Sequence, residues 1–221
     1  DRSELMQLRS SIGLRPVWLA ASTHSDEEEI AARVHHKLAA VHPGLLTIIV
    51  PRHPVRGDAI ATMLHAQGLC IARRAHSEPV ASETDVYLGD TMGELGLFYR
   101  IARIAFIGGS LVRKGGHNPF EAARLDCAIL HGPDMSNCAW MAAALAAEGA
   151  SEAVTGVETL AQAVSALLLN RQLQAERATA AARVAASGSH VLDAVLDHLA
   201  PWLDRLAPTR PIGESPLSFR V

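Results

Sequence analysis

Ile104-Ala105-Phe106-Ile107-Gly108-Gly109 is the stretch on which the fold turns. Four consecutive apolar residues closed by a glycine pair predict a short strand covered on both faces. A glycine-bearing loop, Ser110 to His117, leads from it into a helix that opens with Asn118 as cap, Pro119 in the first position and Glu121 in the third. Strand, loop and helix in that order form the repeating unit of a parallel sheet with helices packed on it.

The same unit recurs in both directions. Upstream, a strand at Pro16–Ala21 precedes a helix at Ser25–Val41, opened by a capping box of Ser25 and Glu28. A strand at Leu45–Val50 follows, then a proline-punctuated turn, a helix at Val55–Gln67 and an edge-like strand at Leu69–Ala72. Beyond a polar connection come a strand at Val86–Leu88 and a helix at Gly93–Ala102. Downstream, strands at Cys127–Leu130 and Ala153–Val154 alternate with helices at Asn137–Glu148 and Val157–Leu169. The expected fold is α/β, a Rossmann-like doubly wound parallel sheet over 16–171 with its binding crevice at the carboxyl ends of the strands. Residues 172–207 are expected as C-terminal helices broken at Gly188, 208–221 as an extended tail, and the polar stretch 1–15 as an interdomain linker remnant. The chain opens without methionine, which reads as a fragment of something longer.

Composition narrows the function. Aromatics make up 4% of the chain and hydrophobic residues 49%, so small aliphatic side chains build the core. A net charge of -3 with 20 basic and 23 acidic residues intermixed provides no field to gather nucleic acid or anionic lipid, and any bound anion must be held locally. Cys70, Cys127 and Cys138 lack metal-ligand spacing and read as reduced core residues of a cytosolic protein. No apolar run reaches membrane-span length and the N-terminal residues lack the basic-then-apolar order of a signal peptide, so the covered chain is expected to be soluble. His35 and His36, adjacent on a helix, point apart, and no histidine pair has zinc-site spacing. No metal and no cofactor is expected.

The loops after the strands carry the chemistry. Ser22-Thr23-His24 leads into Asp26, Glu27 and Glu28, carboxylates that suit a helix start and repel phosphate, which argues against a dinucleotide site there. Arg52 stands between Pro51 and Pro54, a stiffened guanidinium able to grip phosphate oxygens, although an ordinary surface arginine fits as well. His53 reads as a turn residue. Thr91-Met92-Gly93-Glu94 has the spacing of a capping box, which by itself explains Thr91 and Glu94. Around Asn118, the glycines Gly108, Gly109, Gly115 and Gly116 open an approach to the helix amides, and Glu121 is placed to accept from ribose hydroxyls or a base amine. Together these read as a nucleotide site with one phosphate.

Four motifs resemble those of the bacterial transferases of 3-deoxy-D-manno-octulosonic acid (Kdo). They are Ala20-Ala21-Ser22-Thr23-His24, Val50-Pro51-Arg52-His53-Pro54, the segment Gly89 to Gly96, and Phe106 to Val112 with Gly115 to Glu121. The likeness runs from Arg15 to Leu169, with departures at Phe120, where the family more often has leucine, and at Ser25 and Asp26. The resemblance implies the C-terminal half of a GT-B glycosyltransferase, the half that binds the donor CMP-Kdo. It places CMP contacts on Pro51, Arg52, Met92, Gly93, Glu94, Asn118, Pro119, Phe120 and Glu121, with Ser22, His24, Gly109, Ser110, Gly116 and His117 as additional candidates. It also implies a general base on an N-terminal domain, so no catalytic residue is expected in this chain and the chain alone is expected to be inactive. The full-length protein is then expected at the cytoplasmic face of the inner membrane, with lipid A precursor as its acceptor, an inverting mechanism and no nucleic-acid partner. Two alternatives stay open. One is a noncatalytic nucleotide-binding module; the other is a UDP-sugar enzyme in which Arg113 and Lys114 serve a second phosphate. A final helix at Val191–Leu206 is expected to expose an apolar stripe.

Overall fold

The computed structural model describes residues 2–187 together with Leu199 and Trp202. In chain order the elements are α1 (Arg2–Ile12), β1 (Val17–Thr23), α2 (Glu27–Ala39), β2 (Leu46–Pro51), α3 (Gly57–Ala66), β3 (Ile71–Arg73), β4 (Val86–Leu88), α4 (Leu95–Ala102), β5 (Ile104–Ile107), α5 (Phe120–Ala123), β6 (Ala128–His131), α6 (Ala139–Ala147), β7 (Ser151–Ala153), α7 (Val157–Leu169) and α8 (Arg171–Ser187). Single 3-10 turns precede α3 and α6. The chain divides into two units, 1–185 and 186–221. The first therefore extends through most of α8, beyond the boundary expected near residue 171. The expected break at Gly188, the helix at Val191–Leu206 and the tail from 208 lie outside the described residues.

All seven strands are parallel, in the order β3-β4-β2-β1-β5-β6-β7. Side chains alternate along each strand, so β1 sends Leu19 and Ala21 into one core and Trp18 and Ala20 into the other. The first core lies under α1, α4, α5, α6 and α8, the second under α2, α3 and α7. Such burial on both faces is what turns short Val/Ile/Leu/Ala runs into strands. The winding runs outward from β1 through β2, then returns across it to β5. The carboxyl ends of β1 and β5 therefore flank the place where the strand order reverses and a crevice opens.

Several local expectations fail for one reason, that tertiary partners outcompete neighbours in sequence. Residues 2–12 of the presumed linker form helix α1, whose Leu8 and Ile12 are buried in the core. Ser25 does not cap α2; the helix begins at Glu27, after Asp26 at φ 76°, with no side-chain cap. The Thr91 hydroxyl does bond the Glu94 carboxylate, but α4 starts only at Leu95. Cys70 is exposed in the turn before edge strand β3, while Cys127 and Cys138 are buried.

Candidate functional site

Because every strand runs the same way, the loops after β1, β2, β4 and β5 meet at one rim. Their joint is built on glycine. Gly108 donates to the Ala21 carbonyl at 2.7 Å, and a Cβ there would lie 2.5 Å from the Ser22 oxygen. Only glycine lets β5 end so close to β1. Gly109 adopts φ 71° with a His117 ring nitrogen 3.2 Å from where its Cβ would sit, so the ring of His117 folds over bare backbone.

Glu27, only 1% exposed, occupies the centre of this joint. Its carboxylate accepts the backbone N–H groups of His24 at 3.0 Å, Gly109 at 2.7 Å, Ser110 at 3.1 Å and Leu111 at 3.0 Å. An internal anion thus fills this nest of backbone amides. Glu28 ties the next loop in place, accepting from the Thr23 hydroxyl and from both terminal nitrogens of Arg56, at 2.8 and 3.2 Å. Arg52, one turn earlier, is held by its backbone N–H on the Thr23 carbonyl at 2.9 Å. Its guanidinium is exposed and among the described residues no ion pair engages it.

Three imidazoles gather beside Arg52. His24 and His117 lie nearly parallel, 7° apart, with their Nε2 atoms 3.0 Å from each other, and His53 meets His24 edge-on at 5.8 Å. Burial first, then the charges of His24, Arg52 and His53, lowers the His117 pKa to about 4. Burial likewise lowers that of His24, against the opposing pull of Glu27.

On the other side of the rim, Glu94 is gripped by Arg74, whose Nε and Nη2 reach its two oxygens at 2.5 to 3.2 Å. That pairing, with the Thr91 bond, keeps Glu94 ionised and below the usual carboxylate range. Arg74 also donates to Glu4 of α1 at 2.8 Å. A cavity of about 470 Å³ opens here, lined by Arg2, Glu4 and Leu5 from α1 and by Gly93, Glu94 and Gly96 at the head of α4. The Glu121 carboxylate lies 3.9 Å from the position a Cβ on Gly96 would take.

Of the residues singled out from sequence, Arg52, Met92, Gly93, Asn118 and Glu121 are exposed, and Glu94, Ser22, His24 and His117 are partly so. Others stand behind the rim. Ser110 is fully buried, its hydroxyl donating to the Ile107 carbonyl and accepting from the Gly132 N–H. Gly109 and Gly116 are buried and bonded to each other through the backbone. The Gly109 and Ser110 amides are both taken by the Glu27 carboxylate. Pro51 and Pro119 are buried. Phe120 is core, 3% exposed and edge-on to Trp140 at 5.2 Å, and its N–H is taken by the Asn118 side-chain oxygen at 2.9 Å. Helix α5 is a single turn of four residues, so the aligned dipole expected to greet a phosphate at Asn118 is mostly missing. Sequence reasoning passed over His53, Arg74 and the inward turn of Glu27. A run of four acidic residues, Asp26 to Glu29, directly after a strand was the available signal for the last of these.

A larger cavity, about 530 Å³, lies at the opposite end of the sheet and is lined by Arg9, Arg15, Arg100, Arg103 and Arg171. Helices α1, α4 and α7 all end there. Arg9 donates to the carbonyl of Arg100 in the last turn of α4, where a cation suits the helix end, and Arg15 ties down two loops through the carbonyls of Gly44, Leu45, Ala81 and Thr84.

No family model matches the chain. It is 38% identical over 192 residues to the 3-deoxy-D-manno-octulosonic acid transferase of Haemophilus influenzae, covering 86% of this chain and 45% of that protein. With the enzyme of the same name from Bordetella pertussis it shares 35% identity over 195 residues, again 86% and 45% of the two chains. The chain therefore spans about 45% of the length of these two relatives. Among solved structures, the C-terminal CMP-Kdo binding domain of WaaA from Acinetobacter baumannii superposes with a TM-score of 0.78 at 29% identity, over 82% of this chain and 96% of that one.

Proposed function

Because this chain resembles the C-terminal CMP-Kdo-binding domain of bacterial Kdo transferases in both sequence and fold, we propose that it is the donor-binding half of an inverting GT-B transferase. In this reading CMP lies along the rim, its phosphate against Arg52, its nucleoside toward Glu94 and Glu121. The observation that supports it most directly is the rim itself: a guanidinium after β2 that no ion pair engages among the described residues, and two carboxylates, Glu94 after β4 and Glu121 after β5, the second 3.9 Å from where a Cβ on Gly96 would sit.

The chemistry follows from the donor. Cleaving the sugar–phosphate bond leaves an additional negative charge on CMP, and a guanidinium already in place stabilises that charge as it grows. Acceptor-only carboxylates suit ribose hydroxyls and an exocyclic amine, and Arg74 keeps Glu94 in that acceptor state. A base elsewhere in the full-length protein would take the acceptor hydroxyl's proton, so these 221 residues are expected to bind the donor without turning it over. Lipid A precursor as acceptor and the cytoplasmic face of the inner membrane as location belong to the same proposal. Among the described residues no helix is long and apolar enough to cross a membrane.

Calorimetry with CMP and UMP tests the reading. Binding of CMP, weakened by Arg52→Ala and by Glu121→Ala, is expected. Absence of CMP binding by the folded chain, or affinity untouched by both substitutions, would discard it.

A further inference from the structure

The histidine cluster sits where the strand order reverses, on the residues that follow β1, β2 and β5, and nothing in the donor-binding reading uses its protons. With two Nε2 atoms 3.0 Å apart, one ring donates and the other accepts. Two neutral rings keep that bond, and one added proton keeps it also. Two added protons set N–H against N–H and break it. The pair therefore holds together with at most one positive charge.

The surroundings decide when that charge is tolerated. From the loop after β2, Arg52 and His53 face the pair, and from the glycine loop Lys114 does. The opposing carboxylates, Glu27 and Glu28, are both committed: the first to four backbone N–H groups, the second to Thr23 and Arg56. In the free protein a proton on the pair would thus stand beside uncompensated cations in a partly desolvated crevice, and the rings stay neutral. A phosphate dianion reverses the balance. One guanidinium leaves it half neutralised, and a ring N–H⁺ beside it supplies the remaining charge as a strong, charge-assisted bond.

Resting on the donor-binding reading, we propose that His24 and His117 are the protonatable part of the phosphate site, and that this pair takes up a proton from solvent as the phosphate of CMP settles against Arg52. Arg52 is the permanent charge and the pair a conditional one, present only when an anion is bound. The device keeps the crevice from repelling its own cations while empty.

The consequence is a linkage between affinity and pH. Uptake of one proton strengthens binding by up to about tenfold for each unit the pH falls. Measuring CMP affinity from pH 8 to 6 in the whole chain and in the His24→Asn/His117→Asn double variant isolates this effect, because the nucleotide's own phosphate titration is common to both proteins. A steeper gain toward acid in the unsubstituted chain, lost in the variant, is expected. Nitrogen-15 spectra of the unsubstituted chain give a second readout that no folding defect can confuse. Saturating CMP should move one ring of the pair to imidazolium shifts near neutral pH. Equal pH slopes in the two proteins, or rings that stay neutral with CMP bound, would overturn the proposal while leaving donor binding intact. No CMP binding at all would remove both.

Discussion

At the scale of single residues, the rim separates groups that are free to act from groups already engaged. Arg52 is exposed and unpaired among the described residues, so under the proposed function replacing it removes a ligand contact and little else. Arg52→Ala is expected to cost about 1.5 to 3 kcal/mol of CMP binding, tenfold or more in calorimetry, with the thermal midpoint unmoved. Arg74 acts differently, since it reaches Glu94 and Glu4 together. Arg74→Gln is expected to weaken CMP binding indirectly, by freeing Glu94 to turn and to protonate in mild acid, and Arg74→Lys to restore part of it. The check is the pH profile of affinity: a purely architectural arginine would lower stability in Arg74→Gln without changing that profile.

Elements are joined at the rim by close approach rather than by large side chains. Gly108 brings β5 onto the end of β1, and Gly108→Ala would force a methyl to within 2.5 Å of the Ser22 carbonyl oxygen. Both partners are backbone, so relaxation means separating strands, at about 1 to 3 kcal/mol on the scale of overpacked cores. The expected readout is a lowered urea midpoint together with loss of CMP binding. Glu27 is the counterpart from α2. In Glu27→Gln the amide nitrogen would face backbone donors in a site 1% exposed, leaving N–H groups unsatisfied at about 1 to 3 kcal/mol each. Urea denaturation is expected to show a loss of at least one such increment, and no gain in phosphate affinity, since the glutamine side chain still fills the nest.

For the whole molecule, burial of neutral histidines sets the acid limit of stability. His24, His35, His42 and His117 all have pKa values lowered chiefly by desolvation, His117 to about 4. The unfolded chain, with ordinary histidines near 6.5, binds more protons than the folded one between that value and about 4 for His117. Stability must then fall as pH drops through this window and be fully present above it. Urea midpoints measured from pH 8 to 4 are expected to decline below about 6.5, less steeply in His117→Asn. Saturating CMP should offset the decline if the pair is protonated in the complex.

The strands, the helices and their order of appearance were legible because apolar run length and glycine punctuation are local signals: strands Val86–Leu88 and Ile104–Ile107 and helix Val157–Leu169 lie where their patterns put them. The doubly wound sheet follows from alternation alone, and the loops proposed to hold a nucleotide follow from their place after the strands. Pairing across the rim was not legible. Ser25, Thr91 and Asn118 each begin a respectable local capping pattern, yet Glu28 turns to Arg56, Glu94 to Arg74, and the helix after Asn118 stops after one turn. A carboxylate's choice between a neighbour three residues away and a guanidinium or amide nest brought in from elsewhere is a competition between local and long-range hydrogen bonds. Only the assembled sheet, by bringing the carboxyl ends of β1, β2 and β5 to one rim, decides which wins.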